Sequence, residues 1–265
     1  MVPSIKEALF VYEFLRQWLD LPVVHALQAL SHHSEIADVV LVKILTRPTF
    51  KIFPYIAFTI YVFFCTTGDR KYAFLCNLAA GSILTMAVSR LTQNFLPARP
   101  RPLHANIADF IPPFGIDDGI LKNWSSFPSD TMALAMAMAM AIFLYSRRFG
   151  ILFFIWSIAV VSFPRMYAGF HYASDIIGGA ILGAAMTLLV DRLIREKLAK
   201  VLKYALVNFT FVTNIALILF LFQAATMFDD LRASGSDLRG AIKREYMAIV
   251  HAEDDGTITV TARRK

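Results

Sequence analysis

The sequence predicts an all-α integral membrane protein, a six-helix transmembrane bundle with an amphipathic N-terminal region. Three observations carry this. Of its 265 residues 57% are hydrophobic, with 23 Phe, and the mean hydropathy is +0.56, far above a soluble domain. Apolar runs recur near the length of about 20 residues that crosses a bilayer. The basic residues, which bring the formal charge to +6, gather in short clusters between those runs, as membrane topology expects, and not in a nucleic-acid-binding stripe.

The elements follow in order. The opening "MVPSIKEALFVYEFLRQWLD" carries Lys6, Glu7, Glu13, Arg16 and Asp20, which exclude the apolar core of a signal peptide. Leu9, Phe10, Tyr12, Phe14, Leu15 and Leu19 are spaced for an amphipathic helix on the membrane surface. Residues 1–50 are therefore expected to be interfacial, and His32 and His33 within them lack further metal ligands. Six spans are expected, at about 52–68, 73–96, 130–146, 149–164, 174–190 and 204–224. The third, "TMALAMAMAMAIFLY", alternates two apolar residues and is Ala-rich, which favours helix. The fifth contains Gly179 and Gly183, a small-xxx-small pair read as ordinary helix packing. Cys65 and Cys76 fall in or beside apolar spans and suggest neither a disulfide nor a metal site. The bundle occupies 51–225, and 226–265 is a polar tail.

Arg70 and Lys71, Arg147 and Arg148, and Arg192, Arg195, Lys197, Lys200 and Lys203 share one side, the cytoplasmic one by the positive-inside rule. The loops 97–128 and 165–173, and the tail, are then exoplasmic. The expected setting is a bacterial inner membrane with the site on its exoplasmic side.

Three polar clusters meet at that exoplasmic edge. "SRLTQNFLPARPRPLH" holds Arg90, Arg99, Arg101 and His104. "WSSFPSDTMALA" holds Ser129, Asp130 and Thr131. "SFPRMYAGFHYASDIIGGA" holds Arg165, His171 and Asp175. Arginine forks suit phosphate. Ser129 is placed to cap the third span, whose first-turn amides attract anions. His171 can attack phosphorus once its ring is oriented, and Asp175 can hold the opposite ring N–H. No carboxylate cluster suggests a metal. Such a set describes phosphoryl transfer with the arginines carrying the charge stabilisation.

The third cluster resembles the third signature of the type 2 phosphatidic acid phosphatase family, Ser-Arg-x5-His-x3-Asp, here Pro164-Arg165, His171 and Asp175. Pro128-Ser129-Asp130-Thr131 is similar to its Pro-Ser-Gly-His, and Arg101-Pro102 to the end of its Lys-x6-Arg-Pro. The order matches over roughly 55–195. The resemblance implies a six-helix bundle and cofactor-free hydrolysis through a phosphohistidine on His171. Asp175 would orient it, and Arg101 and Arg165 would bind the phosphoryl oxygens with help from Ser129. The implied substrates are lipid phosphates and diphosphates, bacterial polyprenyl diphosphates among them.

Two departures sharpen the reading. Asn94 stands where the family has Lys. Arg90 lies four residues earlier, about 400° round the helix and about 6 Å along it, and is a candidate phosphate contact or a snorkelling arginine. Thr131 stands where the family has the His that protonates the leaving group. A lipid alkoxide, with a conjugate-acid pKa near that of water at about 15.7, needs that proton. A phosphate leaving group, with a pKa of about 6, does not. General acid catalysis supplies about 10²–10⁴-fold, so the loss penalises monoesters most. The function expected is hydrolysis of a lipid phosphate, favouring a diphosphate. His104 and Asp130 are alternative acids. A lipid phosphotransferase and a catalytically silent headgroup-binding protein are the competing classes. The expected partners are the lipid substrate and membrane lipids, with oligomeric state unread.

Overall fold

The computed structural model describes residues 13–31, 33–107, 110–117, 119, 121–122 and 124–226. The expectations for Lys6, Glu7, Leu9, Phe10, Tyr12, His32 and the tail beyond Thr226 lie outside them. Among the described residues every regular element is helical. A π-type turn Arg16–Asp20 leads into α1 (Leu21–Gln28), followed by α2 (Glu35–Thr46) and a single turn Pro48–Lys51. Then come α3 (Phe53–Cys65), α4 (Arg70–Phe95), α5 (Asp130–Tyr145), α6 (Arg147–Tyr167), α7 (Ala173–Leu193), α8 (Arg195–Asn208) and α9 (Thr210–Ala225). Helices α4, α6 and α7 are long and apolar enough to cross a membrane, and α3, α5 and α9 are shorter apolar helices. Each of the six apolar stretches expected as spans overlaps one of these helices.

Small residues decide how closely the helices approach. A Cβ on Gly179 or Gly183 would collide with the carbonyl oxygens of Ser129 and Ala133, so α7 lies directly on the α5 backbone. The alternating alanines Ala133, Ala135, Ala137, Ala139 and Ala141 are all buried. Thr187 Oγ1 donates to Ala137 O at 3.2 Å, and Gly81 of α4 leaves room for the same threonine. The apolar core gathers Tyr55, Phe58, Phe74, Leu78, Met138 and Phe153. Most outward positions are apolar too, with Phe64, Ile181 and Phe211 exposed, far more apolar surface than a protein in water carries.

Two boundaries differ from the sequence expectation. Helix α6 continues through Tyr167, so Arg165 sits in its last turn and not in a loop. The π-type turn Ser157–Ser162 precedes Pro164, which is where a helix tolerates the missing N–H. The sixth span starts later, at Thr210. The chain breaks at Phe209 (φ −132°, ψ 45°), and the basic helix α8 takes residues 204–208.

The N-terminal helices lie across the loop end of the bundle. Asp38 of α2 accepts from the Tyr167 hydroxyl and, at 3.3 Å, from Phe114 N–H. Gln28 donates to Ile111 O at 2.9 Å. Leu45 packs on Ala168 and Phe170. Trp18, Ile36 and Val40 of this segment are exposed.

Candidate active site

The site forms where the C-terminal ends of α4 and α6 meet the N-terminal ends of α5 and α7. Ser129 caps α5, its Oγ accepting from Met132 N–H at 3.5 Å. Its own N–H donates to Asp175 O at 3.1 Å, which ties the first turns of α5 and α7 together. The turn between α6 and α7 reverses at Gly169, whose φ of +71° favours glycine. Leu103 N–H donates to Gly169 O at 2.9 Å, bringing the Arg101 segment against the turn that carries His171.

His171 is fully buried. Its Nδ1 lies 2.9 Å from Ser126 O, an acceptor only, and its Nε2 lies 3.2 Å from Arg101 Nη1, a donor only. These partners assign the tautomer: Nδ1 carries the hydrogen, and the Nε2 lone pair faces the guanidinium. Burial pushes the His171 pKa down to about 4, with Asp175 pulling it up and Arg101 and Arg165 pushing it further down. The ring is therefore neutral at physiological pH, the form a nucleophile needs.

Arg101 is held by three carbonyls. It donates to Phe170 O at 2.7 Å, Ser125 O at 3.2 Å and Trp124 O at 3.3 Å. Burial lowers its pKa, the fields of Asp130 and Asp175 raise it, and Arg90 adds a lowering contribution. Those three groups are thus its electrostatic neighbours. Arg165, also buried, reaches His171 through its charge, while its backbone carbonyl accepts from Phe170 N–H at 2.9 Å. Arg90 is drawn into the cluster. It pairs with Asp130 at 3.1 Å, donates to Gln93 Oε1 at 2.8 Å and stacks over Trp124 at 4.8 Å.

Asp175 stands 3.7 Å from His171 Nδ1, an ion-pair distance and not a hydrogen bond. The carboxylate instead accepts from Tyr172 N–H at 2.8 Å and from Arg99 at 2.5 Å. The acceptor that fixes the ring is the Ser126 carbonyl, which sequence reasoning did not find. Asp130 is committed to Arg90 and to Thr131 N–H at 2.7 Å. Thr131 is fully buried beside it, and His104 is half-buried in the short turn after Arg101. Among the described residues no group of three or more His, Cys, Asp or Glu is placed to hold a metal ion.

Asp20 and Ser174 are also missed by the sequence reading, and Arg99, counted there in the first cluster, is given no role of its own. Arg99 Nη2 reaches Asp20 at 2.5 Å, and Nη1 reaches Ser174 Oγ at 2.8 Å. Asp20 accepts from Ser174 N–H at 2.9 Å and from its hydroxyl at 2.7 Å. The repeated Arg-Pro of "ARPRP" is the one hint for Arg99. Asp20, distant in sequence and set in an amphipathic stretch, gives none.

Residues 95–199 match the model of the PAP2 superfamily, the type 2 phosphatidic acid phosphatase family that the motifs resemble. Undecaprenyl-diphosphatase BcrC of Bacillus subtilis (strain 168) is 25% identical over 169 residues, 63% of this chain and 80% of the relative. Bacitracin transport permease protein BcrC of Bacillus licheniformis is 36% identical over 66 residues, 25% of this chain and 32% of that protein. The crystal structure of Aquifex aeolicus LpxE aligns with a TM-score of 0.45 at 18% identity, covering 64% of this chain and 93% of that one. Arg101, Ser129, Arg165, His171 and Asp175 all fall inside residues 95–199, the stretch that matches the PAP2 superfamily model.

Proposed function

We propose that this protein is an integral membrane lipid phosphatase that hydrolyses a lipid diphosphate, of the polyprenyl diphosphate class, through a phosphohistidine on His171. One observation carries the mechanism: a fully buried, neutral His171 with Nδ1–H on the Ser126 carbonyl and its Nε2 lone pair against Arg101. An anion drawn to Arg101 and Arg165 meets that lone pair. In the first step the Nε2–P bond forms and the bridging P–O bond breaks, its electron pair leaving with the lipid monophosphate. In the second, water oxygen bonds to phosphorus, the P–N pair returns to Nε2, and the water protons leave on orthophosphate. The arginines stabilise the equatorial oxygens in both, without a metal, and Asp175 offsets the charge the ring acquires.

Two observations support the diphosphate. Thr131 supplies no acid, and a phosphate leaves without one. The relative named undecaprenyl-diphosphatase is matched over 80% of its length. The six apolar helices are taken to cross the membrane, with the site at the exoplasmic edge. Phosphate release by purified protein in detergent micelles with chelator tests this reading. Turnover of a lipid diphosphate well above a monophosphate, lost in His171→Ala, is expected. Equal turnover of both would assign an acid to Asp130 or His104, and transfer to an added alcohol in preference to water would make it a phosphotransferase. No release that depends on His171 would sink the reading.

A further inference from the structure

We propose that Asp20 and Arg99 are positioning residues that set the charge of Asp175, so that the N-terminal segment is part of the catalytic apparatus. Asp20 lies outside the stretch that matches the family model, and this inference rests on the reading of His171 as nucleophile.

Arg99, Asp20 and Asp175 are all buried, at 9%, 0% and 0% exposure. One guanidinium serves two carboxylates: Nη2 to Asp20 and Nη1 to Asp175, each at 2.5 Å, with its Cζ 4.2 Å from the Tyr172 ring centre. Ser174 closes the group, its hydroxyl accepting from Arg99 at 2.8 Å and donating to Asp20 at 2.7 Å, and its N–H donating to Asp20 at 2.9 Å. Each of the hydrogen bonds joining Arg99, Asp20, Ser174 and Asp175 involves a charged group. With Asp175 alone, Arg99 would make a neutral pair and leave little field at the His171 ring. With Asp20 included the trio carries a net −1. Attack on phosphorus gives the ring positive charge, which that net charge stabilises from the Asp175 side. A lysine would not serve, since a single ammonium lacks the planar fork that meets both acids.

Asp20→Asn tests this, because the amide oxygen can still accept from the Ser174 hydroxyl and Arg99, giving up only the Ser174 N–H contact, while the charge is removed. The full chain is assayed in micelles on a lipid diphosphate, with inorganic phosphate as competitive inhibitor. A charge-assisted contact is worth a factor of about 10–100, so kcat is expected to fall by about that much. Phosphate binding is a ground-state property of Arg101 and Arg165, and loss of a nearby negative charge leaves its inhibition constant unchanged or lower. Wild-type kcat in Asp20→Asn would overturn the proposal. So would a phosphate inhibition constant that rises in step with the lost kcat, which marks general damage to the site. If Asp20→Asn is not recovered folded, Arg99→Lys decides: lowered kcat with unchanged phosphate inhibition supports the role, and wild-type kcat overturns it. A wild-type protein with no His171-dependent turnover fails the phosphatase reading itself and takes this proposal with it.

Discussion

The two ends of the bundle handle charge in opposite ways. At the loop end, Asp20, Arg99, Arg101, Asp130, Arg165, His171 and Asp175 are all buried. At the far end, Asp69, Arg70, Asp191, Arg195 and Lys203 rim an open cavity of about 470 Å³. The Lys203–Asp69 pair there, at 2.9 Å, leaves both side chains half or more exposed. Burying a charge costs several kcal/mol per ion in practice and is repaid only by close pairing, whereas exposed pairs contribute little. Folding alone gives no reason to place seven ionisable groups beneath one set of loops. Their arrangement makes sense as a preorganised anion site whose histidine is kept neutral.

The contrast can be broken or sharpened by substitution, beginning with the proposed nucleophile. His171→Ala should cut phosphate release by about 10⁴-fold or more, as removal of a nucleophile does elsewhere, measured as kcat with unchanged detergent behaviour. Arg101→Ala should cost about 10²–10³-fold, the loss of one preorganised donor, and should weaken inhibition by inorganic phosphate. Thr131→His should restore an acid to the leaving-group side and raise monophosphate turnover by up to about 10² while changing diphosphate turnover little.

The pH response follows from His171. Its folded pKa is lowered to about 4, against about 6.5 unfolded. Between these values the unfolded chain binds the extra proton. The contribution to stability is therefore full above about pH 6.5 and is lost as pH falls toward 4. Melting of wild type and His171→Asn across that window should show the wild type losing more on acidification. Nitrogen-15 spectra of labelled histidine should show a neutral ring with hydrogen on Nδ1 at pH 6. The smallest effect belongs to the far end: Lys203→Ala should leave activity unchanged and the melting temperature within about 2 °C.

Legibility in the sequence divides along the same line. The helices were readable because membrane spans are set by composition and length, and six apolar runs fall on six apolar helices. His171 and Asp175 were readable as a pair because four residues across a turn into a helix keep two side chains adjacent. The α8 boundary was not, since "KYALVN" is apolar enough to extend a span and the break at Phe209 is a backbone event. The partners of the pair were hidden for physical reasons. Ser126 contributes a carbonyl that any residue would supply. Asp20 is separated from Ser174 by 154 positions, and no local pattern links them. Arg90 was read as a phosphate contact or a snorkelling side chain, and its pairing with Asp130 and Trp124 depends on tertiary packing between α4 and α5.

The claim that His171 is the nucleophile is tested most directly by trapping. Protein mixed for milliseconds with a lipid diphosphate labelled in its terminal phosphate, then quenched in alkali, should retain label that acid releases, as a phosphorus–nitrogen bond does. His171→Ala should retain none. Label held equally by His171→Ala, or turnover with no trapped label at any mixing time, would contradict the account.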